Sequence, residues 1–335
     1  MELLQEGLDA EVGHRAAPEH RRDLATAEGS EVELLARGLD EAHLVAQGGP
    51  EVFAEHLGEL RVIEARDPYT GGHLWRVARY AALVAERSGM GPDLCAQVAL
   101  GAFVHDLGKV GVPDFILRKR EPLSEDEFAV MRTHPEIGVR MLAGHPYAHV
   151  VHDVILLHHE TPDGQGYPRG LSGPSIPSAA RIVGVCDAFD AMTTPRPYRE
   201  ALSVDQALSV IESQLGRQFD DFLGRHLIAL AREGAFEGIL GHSDEGMRLQ
   251  PCGRCGPTLV VRREQRAGEH IFCPACGAQH RLVTQGEGRQ ASLRAEATGE
   301  QGSPMDLLPE PDLALIRRFV QDTAGRVVQT GYLPT

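Results

Sequence analysis

From about residue 70 to residue 231, apolar side chains recur every three or four positions, a period that predicts helices. The expected spans are 71–88, 93–107, 125–133, 135–143, 149–159, 178–192 and 204–231, punctuated by Gly89, Gly91-Pro92 and Gly144. Ser124 with Glu127 reads as a capping box, and so does Ser30 with Glu33. The second of these opens a short amphipathic helix through Val32, Leu35, Leu39, Ala42 and Ala46, ending near Gly48-Gly49. Its stripe is read as packing on the same chain, with a homodimer contact as the alternative. Pro50 starts another helix through Phe53, Leu57, Leu60 and Ile63 that stops before Asp67-Pro68. Residues 1–29 are polar and aperiodic, a flexible N-terminal segment. After residue 245 the pattern changes: Thr258–Arg263 and Glu269–Phe272 read as short strands, 286–304 as a linker, and Pro311–Thr323 as one helix whose Leu313, Ile316, Phe319 and Val320 pack on this chain. The expected organisation is a flexible segment (1–29), a helical prefix (30–66), a helical bundle (67–240), a small β-rich module (245–285) and a linker with terminal helix (286–335).

Several apolar stripes end in metal-ligating residues. Val154 stacks under His158 and Ile155 under His159, so both rings continue a buried face. Burying two such rings without partners costs on the order of 1–3 kcal/mol each, which a metal ion would relieve; backbone-satisfied histidines are the alternative. Leu94, Val98, Ala102 and His105 share one stripe, and Cys95, Ala99, Ala102 and Asp106 its neighbour. His73 opens a helix facing inward through Val77, Tyr80, Ala81 and Val84, Asp187 lies one turn after Val183, and His134 precedes Pro135 at a helix start. Each residue alone is more often structural. The conjunction of His73, His105, Asp106, His134, His158, His159 and Asp187 points to a two-metal site, with His105-Asp106 supplying a nitrogen ligand and a carboxylate able to bridge. Imidazole and carboxylate without thiolate suit iron or manganese, with zinc, nickel or cobalt as competitors. Two such cations can ionise a shared water near neutral pH.

These residues stand in an ordered succession: Thr70-Gly71-Gly72-His73, His105-Asp106-Leu107-Gly108-Lys109, His134-Pro135-Glu136-Ile137-Gly138, His158-His159-Glu160, Asp163-Gly164-Gln165-Gly166-Tyr167-Pro168, Asp187-Ala188-Phe189-Asp190-Ala191-Met192 and Arg196-Pro197-Tyr198-Arg199. Over about residues 60–230 the chain closely resembles the HD-GYP family of bacterial HD-type phosphohydrolases. The resemblance implies a mainly α HD-type bundle and hydrolysis of cyclic di-GMP to the linear dinucleotide pGpG, and in some members on to GMP, in second-messenger signalling. It implies that His73, His105, Asp106 and Asp187 hold one metal and Asp106, His134, His158 and His159 the other, with Asp106 as the bridge. Lys109, in His-Asp-x-Gly-Lys, is expected to stabilise charge on the phosphate, a solvated helix-end cation being the alternative. Gly164, Gly166 and Tyr167 shape a loop tied in the family to substrate recognition and partner contacts. Arg196 and Arg199 are candidates for a second phosphate or a guanine, against ion pairs with Asp190 or Glu200. Family members with a third metal carry a Glu where this chain has Tyr69, so two metals and the linear product are expected. Thr161-Pro162 replaces the usual basic or aromatic pair without removing a ligand.

Composition narrows the rest. A formal net charge of -15 on 335 residues argues against a general nucleic-acid binder and for a cytoplasmic protein. No basic-then-apolar N-terminus and no apolar run near the roughly 18 residues of a membrane span is present. Cys252-Gly253-Arg254-Cys255 and Cys273-Pro274-Ala275-Cys276 have the C-x2-C-x17-C-x2-C spacing of a structural zinc ribbon with four thiolate ligands, closed to substrate. Cys95 and Cys186 read as core. Arginines cluster from Arg248 to Val283 against Glu264 and Glu269, a basic surface suited to an acidic protein partner or to the catalytic domain itself. Rival readings are a cyclic-dinucleotide sensor or scaffold with weak turnover, and a hydrolase of another nucleotide phosphate ester.

Overall fold

The computed structural model describes residues 72–117, 119, 121–144, 148–195, 201–286, 292–303, 305–307 and 313–328. The two helices expected between residues 30 and 66, with Tyr69, Arg196 and Arg199, lie outside these.

The helical periodicity builds a helical core. Helix α1 (His73–Arg87) turns Leu74, Val77, Ala81 and Val84 inward and lies along α2 (Pro92–Val104). A tight 3-10 turn over Leu107–Gly111 and the single-turn α3 (Asp114–Leu117) follow. Helix α4 (Glu125–Met131) has the expected capping box: Ser124 Oγ accepts from the Glu127 N–H at 3.3 Å, and a Glu127 carboxylate oxygen accepts from the Ser124 N–H at 2.7 Å. Helices α5 (His134–Met141) and α6 (Ala148–Leu157) pack together, α5 on the 3-10 turn and α6 on α2. Helix α7 (Ser178–Thr193) then packs on α1, α2 and α6. Tyr80, Phe189 and Phe236 meet at the centre with ring centroids 4.6 to 5.5 Å apart.

The structure corrects several expectations. The span 204–231 is two helices, α8 (Val204–Ser213) and α9 (Asp221–Arg232). Gly216, at φ 76°, turns the chain between them, and Asp220 restarts it by accepting the Leu223 N–H at 2.9 Å. Leu94 is 48% exposed because the first turn of α2 projects past the core; Val98 and Ala102 continue the stripe inward. Cys186 is buried, but Cys95 is only half-buried.

Beyond α9 the chain becomes β-rich. Strands β1 (His242–Asp244) and β2 (Met247–Arg248) form one antiparallel pair, β3 (Gln250–Cys252) and β4 (Gly256–Leu259) another. Strands β5 (His270–Phe272), β6 (Ala278–Gln285) and β7 (Ser292–Gln301) form an antiparallel sheet in that order. The expected strand 258–263 is thus β4, displaced toward the first cysteine pair. The expected linker 286–304 contains β7: its side chains are mostly exposed and polar, and pairing with β6 supplies the order that its composition conceals. Leu259, Val261, Ile271, Leu282 and Ala295 surround Cys252 and Cys273 in a small separate core. Helix α10 (Leu313–Val328) returns to α2, stacking Phe319 on Phe103 at 4.2 Å with Ile316 and Val320 buried, as the terminal stripe predicts. Among the described residues no helix is long and apolar enough to cross a membrane.

Candidate metal centre

Helix ends bring six of the seven predicted ligands together, and the middle of α7 brings the seventh. His73 begins α1, His105 and Asp106 follow α2, His134 begins α5, His158 and His159 follow α6, and Asp187 lies on α7. Gly108 lets these ends close: a Cβ there would fall 1.8 Å from the His134 carbonyl oxygen.

Two clusters result. Ligand atoms of His73, His105 and Asp106 lie within 4.8 Å of one another, as do those of His134, His158 and His159. Asp106 stands between them. One oxygen, Oδ2, is 3.7 Å from His73 Nε2 and 3.4 Å from His105 Nε2, while Oδ1 is 3.6 Å from His134 Nε2. Asp187 Oδ1 joins the first cluster, 3.4 Å from His73 Nε2 and 4.0 Å from His105 Nε2.

The donor set fits divalent cations. His105 Nε2 is buried without a hydrogen-bond partner, and the Nε2 atoms of His134 and His158 face each other at 3.3 Å. Two converging imidazole nitrogens need a proton or a cation between them. Protons are disfavoured there. Burial, helped by the Lys109 and His105 charges and opposed by Asp106, lowers His134 to about 4, and burial with adjacent imidazoles pushes His158 and His159 well below the ordinary histidine range. These rings therefore offer free lone pairs at neutral pH. At His73, burial opposes protonation but the Asp106 and Asp190 carboxylates overcome it, raising the ring to about 9. Charges that favour a proton on His73 also favour a cation at its Nε2. Lys109 and His105 hold the Asp106 carboxyl well below its usual range against the burial that would raise it.

The histidines are aimed through their other nitrogens. Nδ1 of His105 bonds the Ala102 carbonyl at 2.6 Å, that of His134 the Met131 carbonyl at 2.9 Å, and that of His158 the Ile155 carbonyl at 2.9 Å. His73 Nδ1 instead meets Asp190 Oδ2 at 2.8 Å, across 117 residues. Asp190 is clamped by Arg76, whose Nε and NH2 donate to its two oxygens at 2.6 and 2.9 Å. Both residues are buried. Sequence reasoning missed this pair; the signal was Arg76 one turn after His73, on a face that is otherwise apolar.

The Gly164–Pro168 loop packs against the second cluster. Tyr167 is 3% exposed, stacks on His159 at 4.7 Å, and lies under the Arg132 guanidinium. A Cβ on Gly166 would fall 2.4 Å from the His159 carbonyl oxygen and 2.5 Å from Glu160 Cα, so only glycine admits this approach. The buried Glu160 carboxylate, to which no role was given from sequence, accepts the Arg169 and Leu171 N–H groups at 2.6 and 2.8 Å and ties the loop down. Tyr167 thus acts as a buttress of His159. Lys109 Nζ lies 2.8 Å from Asp106 Oδ2. A cleft borders the centre, lined by His159, Asp187, Arg181, Gln218 and Asp220. Arg181 there is engaged by Asp220, Ser178 Oγ and the Ile176 carbonyl.

In the β-rich module, Sγ atoms of Cys252, Cys255, Cys273 and Cys276 lie within 4.8 Å of one another, each pair in a hairpin turn. A tetrahedral zinc site needs sulfur separations of about 3.8 Å; Cys252 and Cys276 stand 3.6 Å apart. Burial and the neighbouring thiols push Cys255 up, and burial does the same to Cys273. Four thiolates would need a cation to coexist here.

Helix-end clustering of His and Asp defines a class of site, and residues 59–223 match the HD domain family. This segment is an HD domain. Over 162 residues, 48% of this chain and 43% of the relative, it is 44% identical to the cyclic di-GMP phosphodiesterase response regulator RpfG of Xanthomonas campestris. It is also 37% identical over 172 residues, 51% of this chain, to 47% of a cyclic di-GMP phosphodiesterase of Thermotoga maritima. To 3'3'-cGAMP-specific phosphodiesterase 2 of Vibrio cholerae it is 36% identical over 160 residues, covering 47% of this chain and 31% of that protein. The chain therefore spans less than half the length of these relatives.

Proposed function

We propose that this chain is a metal-dependent phosphodiesterase that hydrolyses cyclic di-GMP to linear pGpG with two divalent cations, iron or manganese. The observation that carries the reading is Asp106, whose two oxygens face the two histidine clusters. His73, His105, Asp106 and Asp187 would hold one cation, and Asp106, His134, His158 and His159 the other. When bound, two such cations supply Lewis acidity and a water ionised near neutral pH. The chain's own groups do the rest. His134, His158 and His159 present neutral nitrogens, Asp106 keeps its charge beside Lys109, and Lys109 provides a cation next to the attacked phosphate. Water oxygen adds to phosphorus, the P–O3' bond breaks, and the proton passes to the departing 3' oxygen, leaving a 5'-phosphate on the linear product. The identities to two cyclic di-GMP phosphodiesterases support the substrate.

A second substrate reading, another cyclic dinucleotide, is favoured by the identity to a 3'3'-cGAMP-specific enzyme. We further infer one structural zinc on Cys252, Cys255, Cys273 and Cys276, supported by their mutual separations.

The test is turnover of cyclic di-GMP and 3'3'-cGAMP by protein purified without oxygen and supplied with iron(II) or manganese(II), beside Asp106→Ala. Linear product from cyclic di-GMP that disappears in the variant supports the mechanism. Undiminished turnover by Asp106→Ala refutes it, and a preference for 3'3'-cGAMP moves the substrate to the second reading.

A further inference from the structure

The hairpin β1–β2 lies between the four-cysteine module and the catalytic bundle, and it belongs to both. On the module side, Met247 packs against the core that surrounds Cys252 and Cys273, and β2 leads within two residues into β3, which ends on Cys252. Asp244 pairs in register with Met247. Its buried carboxylate receives Arg263 Nε at 2.7 Å and Arg318 NH2 at 2.8 Å. Arg263 lies two residues beyond Val261 of the module core; Arg318 belongs to α10, which packs on α2 just ahead of His105 and Asp106. Asp244 therefore joins three elements at one buried charge.

On the catalytic side the same strand meets the start of α1. The His242 carbonyl accepts Arg76 NH1 at 2.9 Å. Ser243 packs so tightly on Gly72 that a Cβ on Gly72 would fall 2.3 Å from Ser243 Cα. Gly72 immediately precedes His73, and Arg76 is the residue that clamps Asp190 against His73 Nδ1. A continuous chain of contacts, buried from β1 onward, thus runs from the module core through Arg263, Asp244, β1, Arg76 and Asp190 to His73.

We propose that Asp244 is a positioning residue through which metal occupancy of the four thiolates sets the cation affinity of the His73 position. With the thiolates bound to zinc, the turns that carry Cys252 and Cys273 are fixed. Arg263, two residues beyond Val261, then holds Asp244, and β1 presents the His242 carbonyl to Arg76 at the right place. Without that metal the module core loosens, β1 loses its anchor, and Arg76 shares its guanidinium less effectively with Asp190. The second cluster, where the Met131 and Ile155 carbonyls aim His134 and His158, is not on this path. The inference rests on the His73 assignment proposed above.

The experiment is equilibrium manganese(II) binding, read as free manganese by electron paramagnetic resonance, on full-length protein of measured zinc content. Wild type is compared with Asp244→Asn, Cys276→Ser and Asp190→Asn. We expect Asp244→Asn to keep its zinc and Cys276→Ser to lose it, and both to weaken one of two manganese ions by about 3- to 30-fold with the other unchanged. Asp190→Asn should weaken that same ion. Wild-type binding of both ions by zinc-replete Asp244→Asn, with Asp190→Asn impaired, overturns the coupling and leaves the catalytic assignment standing. Wild-type binding by Asp190→Asn overturns the His73 assignment and the coupling with it.

Discussion

Asp190→Asn separates what the Arg76–Asp190 pair does for the fold from what it does for the centre. Arg76 is fully buried, and Asp190 accepts from its Nε and NH2 while also meeting His73 Nδ1. Removing the carboxylate charge leaves a guanidinium uncompensated in the core. Breaking such a pair from one side costs about 3–5 kcal/mol, and because an asparagine carbonyl can still accept one guanidinium bond, the lower end, about 3 kcal/mol, is expected. At about 2–4 °C per kcal/mol for a domain of this size, thermal unfolding should fall by roughly 6–12 °C. Cation affinity at the His73 position should fall by about 10- to 100-fold, because the hydrogen bond that orients the ring and raises its basicity is lost. The double variant Arg76→Met/Asp190→Leu removes both buried charges, so most of the unfolding temperature should return. The weak manganese binding should persist, since His73 Nδ1 still lacks its carboxylate. Calorimetry and manganese titration on the three proteins decide the matter. Unimpaired binding by Asp190→Asn, or binding restored in the double variant, would refute the reasoning.

Other outcomes follow from the same geometry. Because Asp106 and Asp190 raise His73 to about 9, a proton must leave the ring before a cation takes Nε2. Manganese affinity at that position should weaken about tenfold per pH unit below about 9, whereas His134, lowered to about 4, imposes no such competition at neutral pH; equal dissociation constants at pH 7 and pH 8 for both ions would contradict this. Gly166→Ala forces a Cβ into the backbone of His159 and Glu160. Its unfolding free energy should drop by about 1–3 kcal/mol and its second cation should bind more weakly, read by thermal unfolding and manganese titration.

Sequence reasoning picked out the seven residues that the fold brings together because six of them sit where a helical apolar stripe ends and Asp187 sits within one, and a stripe is local information. It went astray where order comes from a partner. The segment Ser292–Gln301 carries Glu, Gln, Gly and Ser with little to bury, and only its pairing with β6 makes it a strand. In the span 204–231 the apolar period continues on both sides of Gly216, so the break rested on one glycine and the Asp220 cap. Strand β1 was missed because His242-Ser243-Asp244 has no apolar residue to mark it; its burial is set by Gly72 and Arg76 from the other end of the domain. Tyr167, placed in a binding loop from its motif, spends its ring on His159.

The aiming of the histidines explains why one candidate ligand needs so much support. A helix leaves the carbonyls of its last turn without partners, and a histidine just past that turn can use one to fix its ring. His105, His134 and His158 each do so, three residues after the carbonyl they take. Their tautomer follows from position alone: Nδ1 carries the proton and Nε2 points inward bare. His73 is placed the other way round, at the first turn of α1, where the free backbone groups are N–H donors that an imidazolium or an Nδ1–H cannot use. It must borrow an acceptor from elsewhere. Asp190 on α7 supplies it, a buried carboxylate then requires a buried cation, and Arg76 requires the His242 carbonyl to complete its hydrogen bonds. His73 thus recruits two further elements, α7 through Asp190 and β1 through Arg76, whereas His105, His134 and His158 each need only a carbonyl three residues back. That asymmetry makes the His73 position the one on which distant parts of the chain can act.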